Sequence, residues 1–199
     1  MSLLDKYYFH YNNKDDKYYV SKSYPGRKNN KKINTPTAKV MNSLLSANAS
    51  AQELVSPSAF RATNPTNAVP ISLANTFVKV TFPNEQFDIG NNEYNAATST
   101  FVPEFNGVYA FNALICFRPD NLTIDYQIFL VLQVNGLQVD IDSGFVGGNA
   151  PFNGCIEVND ILQLNAGDRV EVFVFSTTPG RILPDNRVHF AGSRFPSQK

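Results

Sequence analysis

"FNGVYAFNALICF", residues Phe105–Phe117, decides the fold. In an extended chain Tyr109, Phe111, Ala113, Ile115 and Phe117 fall on one face, and Val108, Ala110, Asn112, Leu114 and Cys116 on the other. The period is two, which is a strand's and not a helix's. The first face is aromatic and aliphatic. The second is smaller but still mostly apolar. A surface strand of an antiparallel sandwich normally turns a polar face to water, so this strand asks for cover on both sides.

The sequence downstream repeats the demand. In Ile128–Val134, Ile128, Leu130, Leu132 and Val134 lie on one side, with Phe129 and Val131 on the other. In Arg169–Phe175, Phe173 and Phe175 stand opposite Val170, Val172 and Val174. "YQIFLVLQV" (126–134) and "LQVDIDSGF" (137–145) flank Asn135-Gly136, a strong hairpin signal because both residues tolerate positive φ. Further strands are expected at 58–62, 76–82, 86–89, 98–104, 155–164, 169–176 and 189–195. Together with 105–117 and the hairpin they make about ten strands with turns between them, an all-β sandwich or jelly roll over residues 56–199. A two-layer fold hides one face of each sheet. The second apolar faces therefore predict association between copies.

Two zones precede the sandwich. Residues 1–35 hold six of the nine tyrosines, with eight Lys/Arg against three Asp/Glu. They carry +5, and residues 36–199, with nine against fourteen, carry −5. Tyr7, Tyr8, Tyr18, Tyr19, Lys31 and Lys32 mark this zone as a basic attachment arm, suited to docking on a neighbouring subunit or scaffold. No RNA-binding signature accompanies its aromatic–basic mix, so nucleic acid is not the expected partner. Residues 36–55 read as a short helix, with Thr35 as cap, Pro36 in the first turn, and Val40, Leu44, Ala47, Ala51 and Leu54 at helical spacing.

No stretch has the charged-then-apolar order of an export signal, and no run nears eighteen apolar residues, so membrane insertion is not expected. Cys116 and Cys155 stand apart from any CxxC pair. They read as buried free thiols, with a disulfide left open. His10 and His189 have no nucleophile pattern beside them, which excludes triad chemistry and predicts a protein that is not an enzyme. The glycine-rich 143–154 lacks a phosphate loop's Lys-Ser/Thr. It reads as a surface loop, with Asn149 and Phe152 available to a ligand. Residues 177–187 form a second such loop, with Arg181 and Arg187 available to an acidic or sugar partner. Asp140 and Asp142 sit two apart on one strand face. They are weak candidates for Ca²⁺ beside the simpler reading of a solvated face, as are Asp120 and Asp125. No other cofactor is indicated.

The order of scattered residues resembles the complement C1q globular-head family, which belongs with the tumour-necrosis-factor-like jelly rolls. The carriers are Ala59-Phe60, Tyr94-Asn95, Phe101, Pro103, Gly107 with Tyr109 and Phe111, Gly167-Asp168, and Phe190 with Gly192. The resemblance spans about residues 56–196. It implies a ten-stranded jelly roll and a compact homotrimer. Tyr109, Phe111, Phe129, Val131, Phe173 and Phe175 are then expected in the sandwich core or the seam between subunits. It also implies Ca²⁺ near the apex of some members. The collagen-like stalk of the animal members is missing, which argues against complement-like or hormone-like roles. Bacterial relatives cap spore-surface filaments, and similar knobs end phage fibres. The expected function is a structural or adhesive knob on a spore, cell or virion surface. The alternative is a module binding a host receptor or glycan through 143–154 and 177–187.

Overall fold

The computed structural model describes residues 8–12, 17–21, 57–90 and 92–196. The chain divides into two units, Met1–Ala51 and Gln52–Lys199. In the first, β1 (Tyr8–Asn12) and β2 (Lys17–Ser21) pair antiparallel, with Phe9 opposite Val20 and Tyr11 opposite Tyr18. The arm's polar composition hides these strands, but their Tyr and Phe content favours them. Tyr8, Tyr18 and Tyr19 lie in the hairpin. Tyr7, Lys31, Lys32 and the helix expected over 36–55 lie outside the described residues.

The described part of the second unit is all strand and loop. Its strands are β3 (Ala59–Asn64), β4 (Val69–Ile71), β5 (Val78–Lys79), β6 (Asn84–Asp88), β7 (Tyr94–Asn95), β8 (Thr100–Phe101) and β9 (Gly107–Pro119). After these come β10 (Tyr126–Val134), β11 (Leu137–Val146), β12 (Gly154–Leu164), β13 (Val170–Ser176), β14 (Gly180–Ile182) and β15 (Asp185–Arg194). Thirteen strands replace the expected ten because short pieces fall inside expected loops. β4 lies past Asn64-Pro65, and β14 and the start of β15 lie within 177–187. Conversely, the strand expected at 76–82 shrinks to β5, and the one at 98–104 to β8.

Six strands form one sheet, ordered β11-β10-β13-β8-β7, with β5 also on β13. Seven form the other. There β12 pairs one edge of β9 along residues 107–117, while β15 and then β14 share the opposite edge. β3 and β6 follow β15 outward.

The odd residues of β9 decide the core, as their spacing demanded. Tyr109, Ala113, Ile115 and Phe117 are fully buried and Phe111 nearly so. Phe60 stacks on Tyr94 and Phe101, with both centroids 4.8 Å away, and meets Phe190 edge-on at 4.9 Å. Phe101 contacts Tyr109 at 5.6 Å and Phe111 at 5.4 Å. From the opposite sheet Ile128, Leu130, Leu132, Val170, Val172 and Val174 close the interior. Burial pushes the Tyr94 phenol up to about 12, and its hydroxyl donates to the Phe82 carbonyl at 2.8 Å.

The Asn135-Gly136 turn forms as read, with φ of 54° and 78°. Its tip is tied to the β12–β13 turn. The Asn135 amide donates to Asp168 at 2.8 Å, and the Arg169 N–H donates to the Asn135 side chain at 2.9 Å. That amide, with the Asn165 N–H, lowers the Asp168 carboxyl. The cysteines are not free thiols. They face each other across the β9–β12 ladder with Cα atoms 4.0 Å apart, and they form a disulfide. The sequence alone did not show that β9 and β12 would be neighbours in this register.

Candidate functional site

The even residues of β9 point out of the seven-stranded sheet, and their cross-strand partners share that face. Asn159 and Ile161 of β12 lie opposite Asn112 and Ala110, and Ala191 and Ser193 of β15 lie on their other side. β3 adds Ala59 and Arg61, and β6 adds Phe87. Alanine, serine and glycine make a low floor, and Phe87 and Ile161 stand as walls, 44% and 62% exposed. The result is an open groove of about 740 Å³. Val108, 40% exposed, extends the apolar face past it.

A polar cluster lies at the groove's side. The Asn112 amide donates to Glu157 and Asn159, and its oxygen faces His189 Nε2. His189 Nδ1 meets the Arg187 carbonyl at 2.6 Å. The histidine is thus engaged by a backbone carbonyl and a side-chain amide oxygen, with no serine or cysteine nucleophile among these partners.

The outer face of the six-stranded sheet carries the other expected apolar set. Its residues fall in rows by strand register. Lys79, Phe173, Val131 and Ile141 make one row, and Phe77, Phe175, Phe129 and Ser143 the next. Thr177, Gln127 and Phe145 make a third. Phe129 and Phe175 stack at 4.4 Å, and Phe77 meets Phe175 edge-on at 4.8 Å. Val131 is fully buried beneath these neighbours, although it points away from the interior cluster. At one end Glu171 accepts from Lys79 at 2.6 Å, Thr100 at 2.8 Å and Arg169 at 3.1 Å. Burial raises its pKa, but these donors outweigh burial and leave it below the usual carboxylate range.

The six residues expected in the core or seam therefore separate. Tyr109 and Phe111 belong to the core of a single chain, while Phe129, Val131, Phe173 and Phe175 sit on the outer face of the other sheet. The groove walls Phe87 and Ile161 were missed. β12 alternates as an ordinary half-exposed strand does, β6 is polar apart from Phe87, and only the register of β6, β3, β15, β9 and β12 brings the two residues to one face.

The loop candidates do meet. The glycine-rich loop shortens to 147–153, because β11 runs on to Val146. Residues 120–125 bridge it to the other loop. The Asn149 N–H donates to the Leu122 carbonyl at 2.7 Å, the Gly148 N–H to Asp125 at 2.7 Å, and the Asp120 N–H to the Pro179 carbonyl at 3.1 Å. Arg181 lies 3.4 Å from Asp120. Phe152, Leu122 and Ile124 stand exposed on this crown. Arg187 is instead held by Asp185 at 2.9 Å. Ser58 and Arg194, where the chain enters and leaves the sandwich, lie at the far end. There Ser58 donates to buried Glu93, and Arg194 lies 5.3 Å over the Phe105 ring. β9 spans the distance between the two ends, about 40 Å for its length.

Asp140 and Asp142 share the inward side of β11, and each accepts from the next backbone N–H at 2.8 Å. Among the described residues, no group of three or more His, Cys, Asp or Glu side chains is placed to hold a metal ion. No helix among them is long and apolar enough to cross a membrane.

No protein-family model matches the sequence, and no curated protein matches it. Solved structures do match. Murine APRIL superposes with a TM-score of 0.50 at 11% identity, over 70% of this chain and 99% of its own. The Eiger TNF of S. frugiperda gives 0.51 at 11%, over 73% of this chain and 96% of its own. The globular domain of zebrafish complement 1qA, at 17% identity, reaches 0.48 over 71% and 99%. The two-sheet order, the core on β9 and the superpositions on APRIL and Eiger TNF agree, and the chain has the jelly-roll fold of those two structures.

Proposed function

We propose that the protein is a non-enzymatic homotrimer that serves as a structural or adhesive knob in a surface assembly, such as a spore-surface filament or a virion appendage. One observation carries this reading. The seven-stranded sheet, whose free face a lone sandwich leaves to water, bears a groove with a floor of Ala59, Ala110, Ala191 and Ser193 between Phe87 and Ile161. A small-residue floor admits close approach, and apolar walls gain by losing water. A neighbouring chain seated in that groove supplies the missing cover. Three copies around one axis close the set, as the family resemblance implies. Ala191→Glu places a carboxylate on the floor and should convert the trimer to single chains without unfolding them. A trimer that survives this change would remove the groove from the interface.

The basic arm is the proposed anchor to a scaffold or neighbouring subunit. Its β1–β2 hairpin supports this, because an isolated two-stranded hairpin is marginal in water and gains order from a partner. Deleting residues 1–35 should leave a soluble trimer that no longer enters its assembly.

A second reading has its own support. The loops 120–125, 147–153 and 177–179 gather into one crown at the end away from the chain's entry, which is where a receptor or glycan could reach them. Arg181→Ala with Phe152→Ser should then abolish binding on a glycan array or to target cells while the trimer persists. Calcium at Asp140 and Asp142 would show as a calcium-dependent rise in melting temperature that Asp142→Asn removes.

A further inference from the structure

A sheet that does not close on itself ends in strands with free N–H and C=O groups, and a strand of another molecule can pair with them. Most edges of this sandwich are short. β4 has three residues, β6 five and β7 two. β11 and β12 are long, with ten and eleven residues, and among the described strands each pairs with one neighbour, β10 and β9. They lie close together across the sandwich, since a Cβ on Gly144 of β11 would stand 3.9 Å from Ile156 Cδ1 of β12.

The register shows which N–H groups of these two strands point outward. The Thr177 N–H donates to the Gln127 carbonyl at 3.0 Å, so the odd residues of β10 turn their backbone toward β13. Ile141 and Ser143, opposite Val131 and Phe129, therefore turn theirs to the free edge. Likewise the Phe195 N–H donates to the Val108 carbonyl at 2.9 Å, so the even residues of β9 turn toward β15. Ile161, opposite Ala110, then faces the free edge of β12. A carboxylate takes each of these three donors. The Ile141 N–H donates to Asp140 at 2.8 Å, the Ser143 N–H to Asp142 at 2.8 Å and the Ile161 N–H to Asp160 at 2.7 Å. Asp140, Asp142 and Asp160 stand opposite Leu132, Leu130 and Phe111 of the core, so each charge also lies on the inward side of its strand. Without them, Ile141 and Ile161, 40% and 62% exposed, would sit on apolar, strand-forming edges. We infer that these three aspartates guard the open edge of the sandwich. They cap its free donors and put charge where a strand of a second copy would add. This gives Asp140 and Asp142 a role that needs no metal ion. It does not rest on the trimeric reading, because it concerns strand edges and not the groove.

The test is the intact chain carrying Asp140→Val, Asp142→Val and Asp160→Val, incubated over a range of concentrations and followed by thioflavin fluorescence. Its signal should rise about tenfold or more over wild type, from a starting protein whose circular dichroism matches wild type. The three Asn substitutions keep an oxygen at each donor and should stay well below the Val protein. Gln138→Val with Gln163→Val adds apolar groups to the same strands without freeing a donor, and should behave as wild type. A Val protein as soluble as wild type, or Asn or Gln138/Gln163 variants that assemble as readily as it does, overturns the inference. Hydrogen exchange on wild type gives a second reading that needs no variant. The amides of Ile141, Ser143 and Ile161 should exchange about tenfold more slowly than those of Glu157 and Asn159, which also face the free edge but follow no aspartate. Equal rates would overturn the capping. Neither readout depends on whether the soluble unit is one chain or three, so this claim and the trimer fail separately.

Discussion

Gly192 lies directly against Phe111. A Cβ on Gly192 would stand 2.7 Å from Phe111 Cδ1 and 2.8 Å from Phe60 Cε1. The strand β15 can pair with β9 here only because position 192 has no side chain, and the rings of Phe60, Phe111 and Phe190 interlock in the space that remains. Gly192→Ala should cost about 1–3 kcal/mol, the usual penalty for overpacking a filled core. Chemical denaturation measures it, and an unchanged midpoint would show that the ring stack is looser than it looks.

The disulfide closes a 39-residue separation that contains the crown's first loop and the whole β10–β11 hairpin. In the chain-entropy account, such a loop contributes about 4 kcal/mol. Cys155→Ser should lower unfolding stability by up to that amount. A reducing agent should lower wild type toward the variant and leave the variant unchanged.

Tyr94 gives an alkaline limit. Its folded pKa of about 12 lies above an unfolded value of about 10. Its stabilising effect is therefore complete below about pH 10 and is lost as pH rises toward 12. In a spectrophotometric titration Tyr94 should ionise in a late step with Tyr109 and Tyr126, whose phenols burial also raises, and Tyr94→Phe should shrink that step.

Glu171 sets an acid limit of the opposite sign. Its folded pKa is lowered by Lys79 and Thr100 against the effect of burial. Its contribution is present above the unfolded carboxylate value, about 4.3, and is lost as pH falls through the folded one. Glu171→Gln should flatten stability over that acid range. A variant as acid-sensitive as wild type would show that other carboxylates govern it.

Much of this was legible in the chain because period-two patterning in β9, β10 and β13 is a local property. Asn135-Gly136 announced its turn for the same reason. What failed to show was non-local. Cys116 and Cys155 become partners only through the β9–β12 register. Tyr109 and Phe111 could not be told from seam residues, because core and seam are equally apolar. Phe87 and Ile161 join one groove only after five strands are set side by side. Short strands such as β4, held by one or two neighbours, carry too little pattern to be read alone.

The central claim is that a lone sandwich leaves its groove face uncovered and that companion chains cover it. Light scattering on the intact protein at low concentration tests this most directly. A mass of three chains is the predicted result, and a stable single chain under the same conditions would contradict it.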